Sequence, residues 1–119
     1  FFVTGQSGEY FQVRARWNRE VSMTEWWKVL DLVNQWNTEK FWPKCYARAE
    51  KRGTDDAEPS LIGVYTEVNV DYEHGLTDDQ LDQHLACAIA TSGSFFDFLD
   101  ERYPEEAARA KAEYENEND

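Results

Sequence analysis

An α+β domain, with two main helices packed on an antiparallel sheet, is the fold class predicted by three features of this sequence. Strand-like alternation of apolar and polar residues recurs along the chain. Two longer segments carry helical apolar stripes, each preceded by a capping signal. The elements run strand–strand–helix–strand–strand–helix.

The opening reads as a hairpin: "FFV", a polar turn over Thr4–Glu9 containing Gly5 and Gly8, then "YFQVRARW". In that second strand Phe11, Val13, Ala15 and Trp17 alternate with Tyr10, Gln12, Arg14 and Arg16, the period of a half-buried antiparallel strand. The first helix starts at "SMTE", where Ser22 and Glu25 have the spacing of a capping box. Trp26, Val29, Leu30 and Val33 fall on one stripe with Trp36 on its margin. The helix stops near Asn37 to Lys40, because Pro43 disfavours a helical residue before it. Trp42 is expected to plug the corner into the next strand.

The strands "KCYARAEK" and "LIGVYTEVNVDY" follow, joined by the polar loop "RGTDDAEPS" as a long-looped hairpin. Ile62, Val64, Thr66, Val68, Val70 and Tyr72 make one face of the last strand, and Tyr65, Glu67, Asn69 and Asp71 the other. "HGLTDDQ" opens the second helix with Thr77 as cap and Gln80 completing its box. Its inward stripe is Leu81, Leu85, Ala88, Phe95, Phe96 and Leu99, with Gly93 permitting close packing or a kink. Pro104 ends or kinks that helix. Residues 1–104 therefore read as one domain, and 105–119 as an acidic tail that extends as a solvated helix and then frays.

Charge excludes several function classes. The 24 acids outnumber the 12 lysines and arginines, for a net charge of -12. That balance argues against nucleic acid, whose affinity comes largely from cations replacing counterions, and against anionic membrane surfaces. No apolar run approaches a membrane span, and there is no signal peptide. The chain begins without Met, apparently inside a strand, and reads as a fragment whose natural N-terminus lies upstream. Cys45 and Cys87 form no secreted disulfide framework and match no zinc spacing. They read as two buried thiols in a reducing cytoplasm, with a single disulfide as the alternative.

Catalytic and cofactor chemistry finds little footing. His84 and Cys87 stand three apart on one helix, but a transition-metal site needs three or four ligands, and only His74 and Cys45 remain to supply them. Asp78, Asp79, Asp82, Asp97, Asp100 and Glu101 sit off the apolar stripe as solvated carboxylates. Ser92, Ser94 and Thr91 surround Gly93 in mid-helix with no His placed to activate them. We therefore expect a non-enzyme with no catalytic residue, metal or cofactor.

Interaction residues are the better lead. The outward sheet face gathers Tyr10, Arg14, Arg16, Tyr46, Arg48 and Tyr65, types enriched in protein-recognition surfaces. The plainer alternative is a solvated face with Arg–Glu cross-strand pairs. Trp27 and Phe98 point well away from the apolar stripes of their helices and need a second packing partner. A competing reading places a small-molecule pocket between the first helix and the sheet, lined by Trp26, Trp36 and Trp42.

The ordered set of "LVNQWNTEKFWPKCYA", an extended "VYTEVNVD", "GLTDDQL" and "FFDFLDERYPE" resembles the YbjN family, labelled a bacterial sensory transduction regulator. The resemblance covers Phe1 to about Glu105. It implies a fold similar to type III secretion chaperones, with a dimeric habit and an additional N-terminal helix and strand absent here. It brings no catalytic residues. Chaperone activity does not follow from such a fold. The expectation is a cytoplasmic interaction or regulatory domain in sensory or stress regulation that binds a protein partner or itself, without nucleic acid or membrane.

Overall fold

The computed structural model describes residues 1–6, 9–53 and 58–117. In chain order these form β1 (Phe2–Gln6), β2 (Tyr10–Arg16), β3 (Val21–Ser22), a 3-10 turn (Met23–Glu25), α1 (Trp26–Glu39), β4 (Lys44–Glu50), β5 (Leu61–Asp71), α2 (Asp78–Arg102) and α3 (Pro104–Glu117). The 11-residue β5 organises the antiparallel sheet. Along one side it pairs β2, from Tyr10↔Asp71 to Arg16↔Tyr65, and then β3 through Val21↔Ile62. The Trp17 N–H donates to the Val64 carbonyl at 2.8 Å and carries the ladder across the gap between them. The other side pairs β4, from Lys44↔Glu67 to Glu50↔Leu61. With β1 flanking β2, the sheet is four strands wide and the predicted α+β class holds.

Alternation along the strands sorts the two faces. Phe11, Val13 and Ala15 of β2 and Trp17 just after it point inward and are buried, as are Ile62, Val64, Thr66 and Val70 of β5. Helices α1 and α2 close the main core over Trp17, Val21, Cys45, Ile62 and Val64 with Val29, Leu32, Val33, Trp36, Phe95, Leu99 and Tyr103. A smaller cluster of Phe11, Val13, Val70 and Ala88 lies under the first half of α2. The buried Thr66 hydroxyl pairs with Ser92 at 2.8 Å, tying the middle of α2 to the sheet without an orphaned polar group. The predicted capping box forms at the α2 start: Gln80 N–H donates to Thr77 Oγ1 at 3.1 Å, and Thr77 N–H to Gln80 Oε1 at 2.9 Å.

Several local expectations are corrected. The first strand extends through Thr4, Gly5 and Gln6, residues expected in the turn, because they pair with β2; residues 7 and 8 of that turn lie outside the described set. Ser22 caps the 3-10 turn by accepting from Thr24 N–H at 3.2 Å, and Glu25 closes no box because that turn displaces it to the α1 boundary. The buried stripe of α1 is Val29, Leu32, Val33 and Trp36, rotated from the predicted one so that Leu32 replaces Leu30. Leu81 of the α2 stripe is exposed, and the buried residues of that helix begin only at Ala88. Gly93 makes no close approach: an added Cβ would meet nothing within 4 Å, and α2 continues through it.

The Trp42 corner also differs. Trp42 is 54% exposed, and it is Pro43, after a cis Trp42–Pro43 bond, that is buried. The corner is held by the Trp36 indole, whose Nε1–H donates to the Trp42 carbonyl at 3.3 Å. Asp100 is no solvated carboxylate. It accepts the Trp17 indole N–H at 2.8 Å and both arms of Arg19 at 3.1 Å, binding the end of α2 to the exit of β2. Both cysteines are free thiols, with Cys45 buried and Cys87 only partly so. Burial pushes the Cys45 thiol up to about 12, so it stays protonated. The tail is helical from Pro104, which occupies the first helical position.

Candidate functional site

Strand register brings the predicted Tyr/Arg residues of β2, β4 and β5 together on the outer face. Tyr46 and Tyr65 are direct cross-strand partners, and their rings stack with centroids 5.4 Å apart and planes 16° from parallel. Around Tyr65 the guanidinium carbons of Arg14, Arg16 and Arg48 lie 5.7, 6.0 and 6.0 Å from the ring centroid, within cation–π range. Arg16 directly opposes Tyr65 across the β2–β5 pair, and Arg14 opposes Glu67. The cluster is thus set by alternation within strands and register between them.

Two carboxylates lock this surface in place. Glu50 accepts Arg16 Nη2 at 2.6 Å and also the Tyr65 hydroxyl. Glu67 accepts the Tyr46 hydroxyl at 2.6 Å and Lys44 Nζ at 3.3 Å. Partial burial pulls the Glu50 pKa upward, but hydrogen bonds from Arg16 and Tyr65 outweigh it and hold the carboxyl below its ordinary range. For Glu67 burial again pulls upward, and the bonds from Tyr46 and Lys44 prevail. Both phenols are raised, first by burial and then by their carboxylate acceptors, so they remain donors. Glu50 and Glu67 are therefore spent as fixed acceptors, a poor arrangement for taking a proton from a substrate.

Gly63 makes the Glu50 position possible, because a Cβ there would overlap the Glu50 carboxylate. Glu50, Lys44 and Gly63 were not among the residues predicted for this surface. Period-2 spacing from Tyr46 puts Lys44 and Glu50 on the same face, a signal present in the sequence. Gly63 becomes visible only through the Arg48↔Gly63 register.

The other predicted residues separate from the cluster. Tyr10 is 43% exposed at the far end of β2, beside Glu9, Asp71 and Glu73. Trp27 stands 80% exposed on α1, as its position off the stripe predicts. Phe98 is a correction: it is half-buried, 5.3 Å from Trp36 and 6.2 Å from Phe95 by ring centroids, with Arg102 over its face at 3.6 Å. Its second partner lies within the chain because the α1 stripe rotates Trp36 toward it.

The expected tryptophan pocket is also corrected. Trp26 packs on the core, the Trp36 ring is filled against Phe95 and Phe98, and Trp42 faces outward, so the three rings enclose no common cavity. Trp42 instead borders an open groove of about 570 Å³ with Val68, Val70, Asp71, His84 and Cys87. Among the described residues no group of three or more His, Cys, Asp or Glu is placed to hold a metal ion. No helix of the described residues is long and apolar enough to cross a membrane.

Fold and surface together define a small α+β domain whose most developed feature is a preorganised aromatic–cationic sheet face. The chain matches the model of the YbjN family, described as "Putative bacterial sensory transduction regulator", over residues 1–101, and it belongs to that family. No curated protein and no solved structure gives a significant match.

Proposed function

We propose that this chain is a non-enzymatic regulatory domain of the cytoplasm that acts by binding a protein partner through the outer sheet face. The observation that supports this most is the stacked Tyr46–Tyr65 pair ringed by Arg14, Arg16 and Arg48. Large rings held rigid by Glu50 and Glu67 present contact area at little entropic cost, and guanidinium groups add directional donors. Family membership as a bacterial regulator agrees with a binding role.

The test is affinity capture with the wild-type protein and with Tyr65→Ser, each shown to be folded by circular dichroism. A partner retained by the wild type and lost by the variant supports the reading. Identical retained sets contradict it. Trp27, 80% exposed, favours self-association as a second reading. A concentration-dependent dimer that Trp27→Ser dissociates supports that reading, and a monomer throughout the micromolar range removes it.

A further inference from the structure

Strand β4 is an edge strand, and only its start is covered. The Asn37 side-chain amide donates to the Cys45 carbonyl at 2.9 Å and accepts from the Cys45 N–H at 3.1 Å. The main-chain groups of Cys45 therefore face away from β5. The Trp17–Val64 bond supports the same phase independently. It turns the Val64 main chain toward β2, so Ala47, directly opposite Val64, exchanges no hydrogen bond with β5. Alternation places Ala49 likewise. Beyond Asn37, then, Ala47 and Ala49 present two N–H and two C=O groups outward, and among the described residues nothing pairs with them.

This edge is also the basic part of an acidic chain. From Lys44 to Arg52 the strand and its exit carry Lys44, Arg48, Lys51 and Arg52 and one carboxylate, Glu50, in a protein of net charge -12. Lys44 pairs with Glu67 at 3.3 Å and Arg52 with Glu20 at 3.6 Å, so Arg48 and Lys51 are the cations of this strip that stay outside the ion pairs among the described residues. Glu50 is turned back onto Arg16 and Tyr65. Arg48 is exposed: it lies over the Tyr65 ring and its charge helps hold Glu50 ionised, but it closes no ion pair among the described residues.

We propose that the Ala47–Ala49 edge of β4 binds an acidic, extended segment of a partner protein by strand addition, with Arg48 and Lys51 pairing its carboxylates. The proposal rests on the protein-binding reading above and names the chemistry of the partner. Free main-chain groups select a polypeptide, since strand addition takes its affinity from backbone pairing. The cations select acidic side chains. A second copy of this chain is a poor occupant, because the antiparallel register that pairs Ala47 of each copy with Ala49 of the other would set Arg48 against Arg48 and Lys44 against Arg52, and two chains of net charge -12 repel. A nucleic acid would meet the strip but would also meet the net charge of -12, and it has no use for the amide pattern.

The experiment titrates the full chain into a fluorescein-labelled heptapeptide of alternating glutamate and valine, read by anisotropy. Saturable binding is expected, weakened about tenfold by Arg48→Glu or by N-methylation of alternate peptide residues. Ala49→Pro removes one outward N–H without touching the β4–β5 ladder and is expected to weaken binding similarly. Amide exchange at Ala47 and Ala49 slows about tenfold when the peptide is bound.

Equal binding of the methylated peptide, equal binding of a lysine-for-glutamate peptide, or no saturation would overturn the proposal. So would tighter binding of an oligouridylate of the same charge. The peptide comparison needs no variant, so a misfolded Ala49→Pro does not spoil the test. Failure of the peptide while Tyr65→Ser still abolishes partner capture removes the edge and leaves the sheet-face reading standing. Peptide binding without any effect of Tyr65→Ser on capture does the reverse.

Discussion

Glu50 shows how one side chain fixes a surface. Its carboxylate joins Arg16 to Tyr65 and reaches them only because Gly63 leaves the space open. Its pKa is lowered in the fold, so the stability it contributes is present above the ordinary carboxylate value of 4.5 and is lost as pH falls through the lower folded value. Glu50→Gln is expected to flatten the acid limb of stability measured by denaturant titration between neutral pH and pH 3. An unchanged limb would contradict that role. Tyr103 is the opposite case. Its hydroxyl is buried and has no hydrogen-bond partner among the described residues, and burial, aided by Glu25 and Glu106, pushes its pKa up to about 12. Ionisation leaves stability unchanged below the ordinary value of 10.0 and lowers it as pH rises toward 12. Tyr103→Phe is expected to raise stability by about 1 kcal/mol near neutral pH and to flatten the alkaline limb, read by the same titration.

Among the elements, α2 carries a strong start and an unneeded weakness. The Thr77–Gln80 box and Asp78 with Asp79 anchor its first turn. Gly93 serves neither packing nor a bend, since a Cβ there meets open space. Gly93→Ala is therefore expected to stabilise the protein by about 0.5–1 kcal/mol, measured as a higher urea midpoint. The corner after α1 gives a contrasting pair. Trp42→Ala is expected to cost less than about 1 kcal/mol because the ring is largely outside the core. Phe95→Ala, at 0% exposure between Trp36 and Phe98, should cost about 3–5 kcal/mol. A loss of several kcal/mol from Trp42→Ala would show that the ring anchors the corner.

At the scale of the molecule, the sheet has a filled inner face and a polar, cross-braced outer face, with α3 standing largely outside both. That helix has no buried residue, and its start is tied to the end of α2 by Ala107 N–H donating to the Tyr103 carbonyl at 3.0 Å. Deleting residues 105–119 is expected to change unfolding stability by less than about 1 kcal/mol while leaving α1 and α2 intact by circular dichroism. A larger loss would make the tail part of the folded unit. Charge divides at this scale too: most acids spread over helices and loops, while Arg14, Arg16, Lys44 and Arg48 converge on one sheet face around the two carboxylates of Glu50 and Glu67.

Sequence alone determined the strand faces, the Thr77 box and the extent of β4 and β5, because periodicity and capping act over a few neighbouring residues. It also placed Tyr46, Arg48, Tyr65, Arg14 and Arg16 on one face, since alternation fixes the side on which a side chain emerges. Tertiary structure decided what those residues meet. Register put Tyr46 on Tyr65, opened Gly63 beneath Glu50 and brought the Tyr65 hydroxyl to the Glu50 carboxylate, and no local signal encodes that last contact between residues 15 apart in the chain. A rotation of the α1 stripe by less than a full turn sent Trp36 to Phe98 and left Trp42 outside. The same long-range register decided which edge of β4 stays open, because main-chain direction depends on the neighbouring strand as well as on the residue itself.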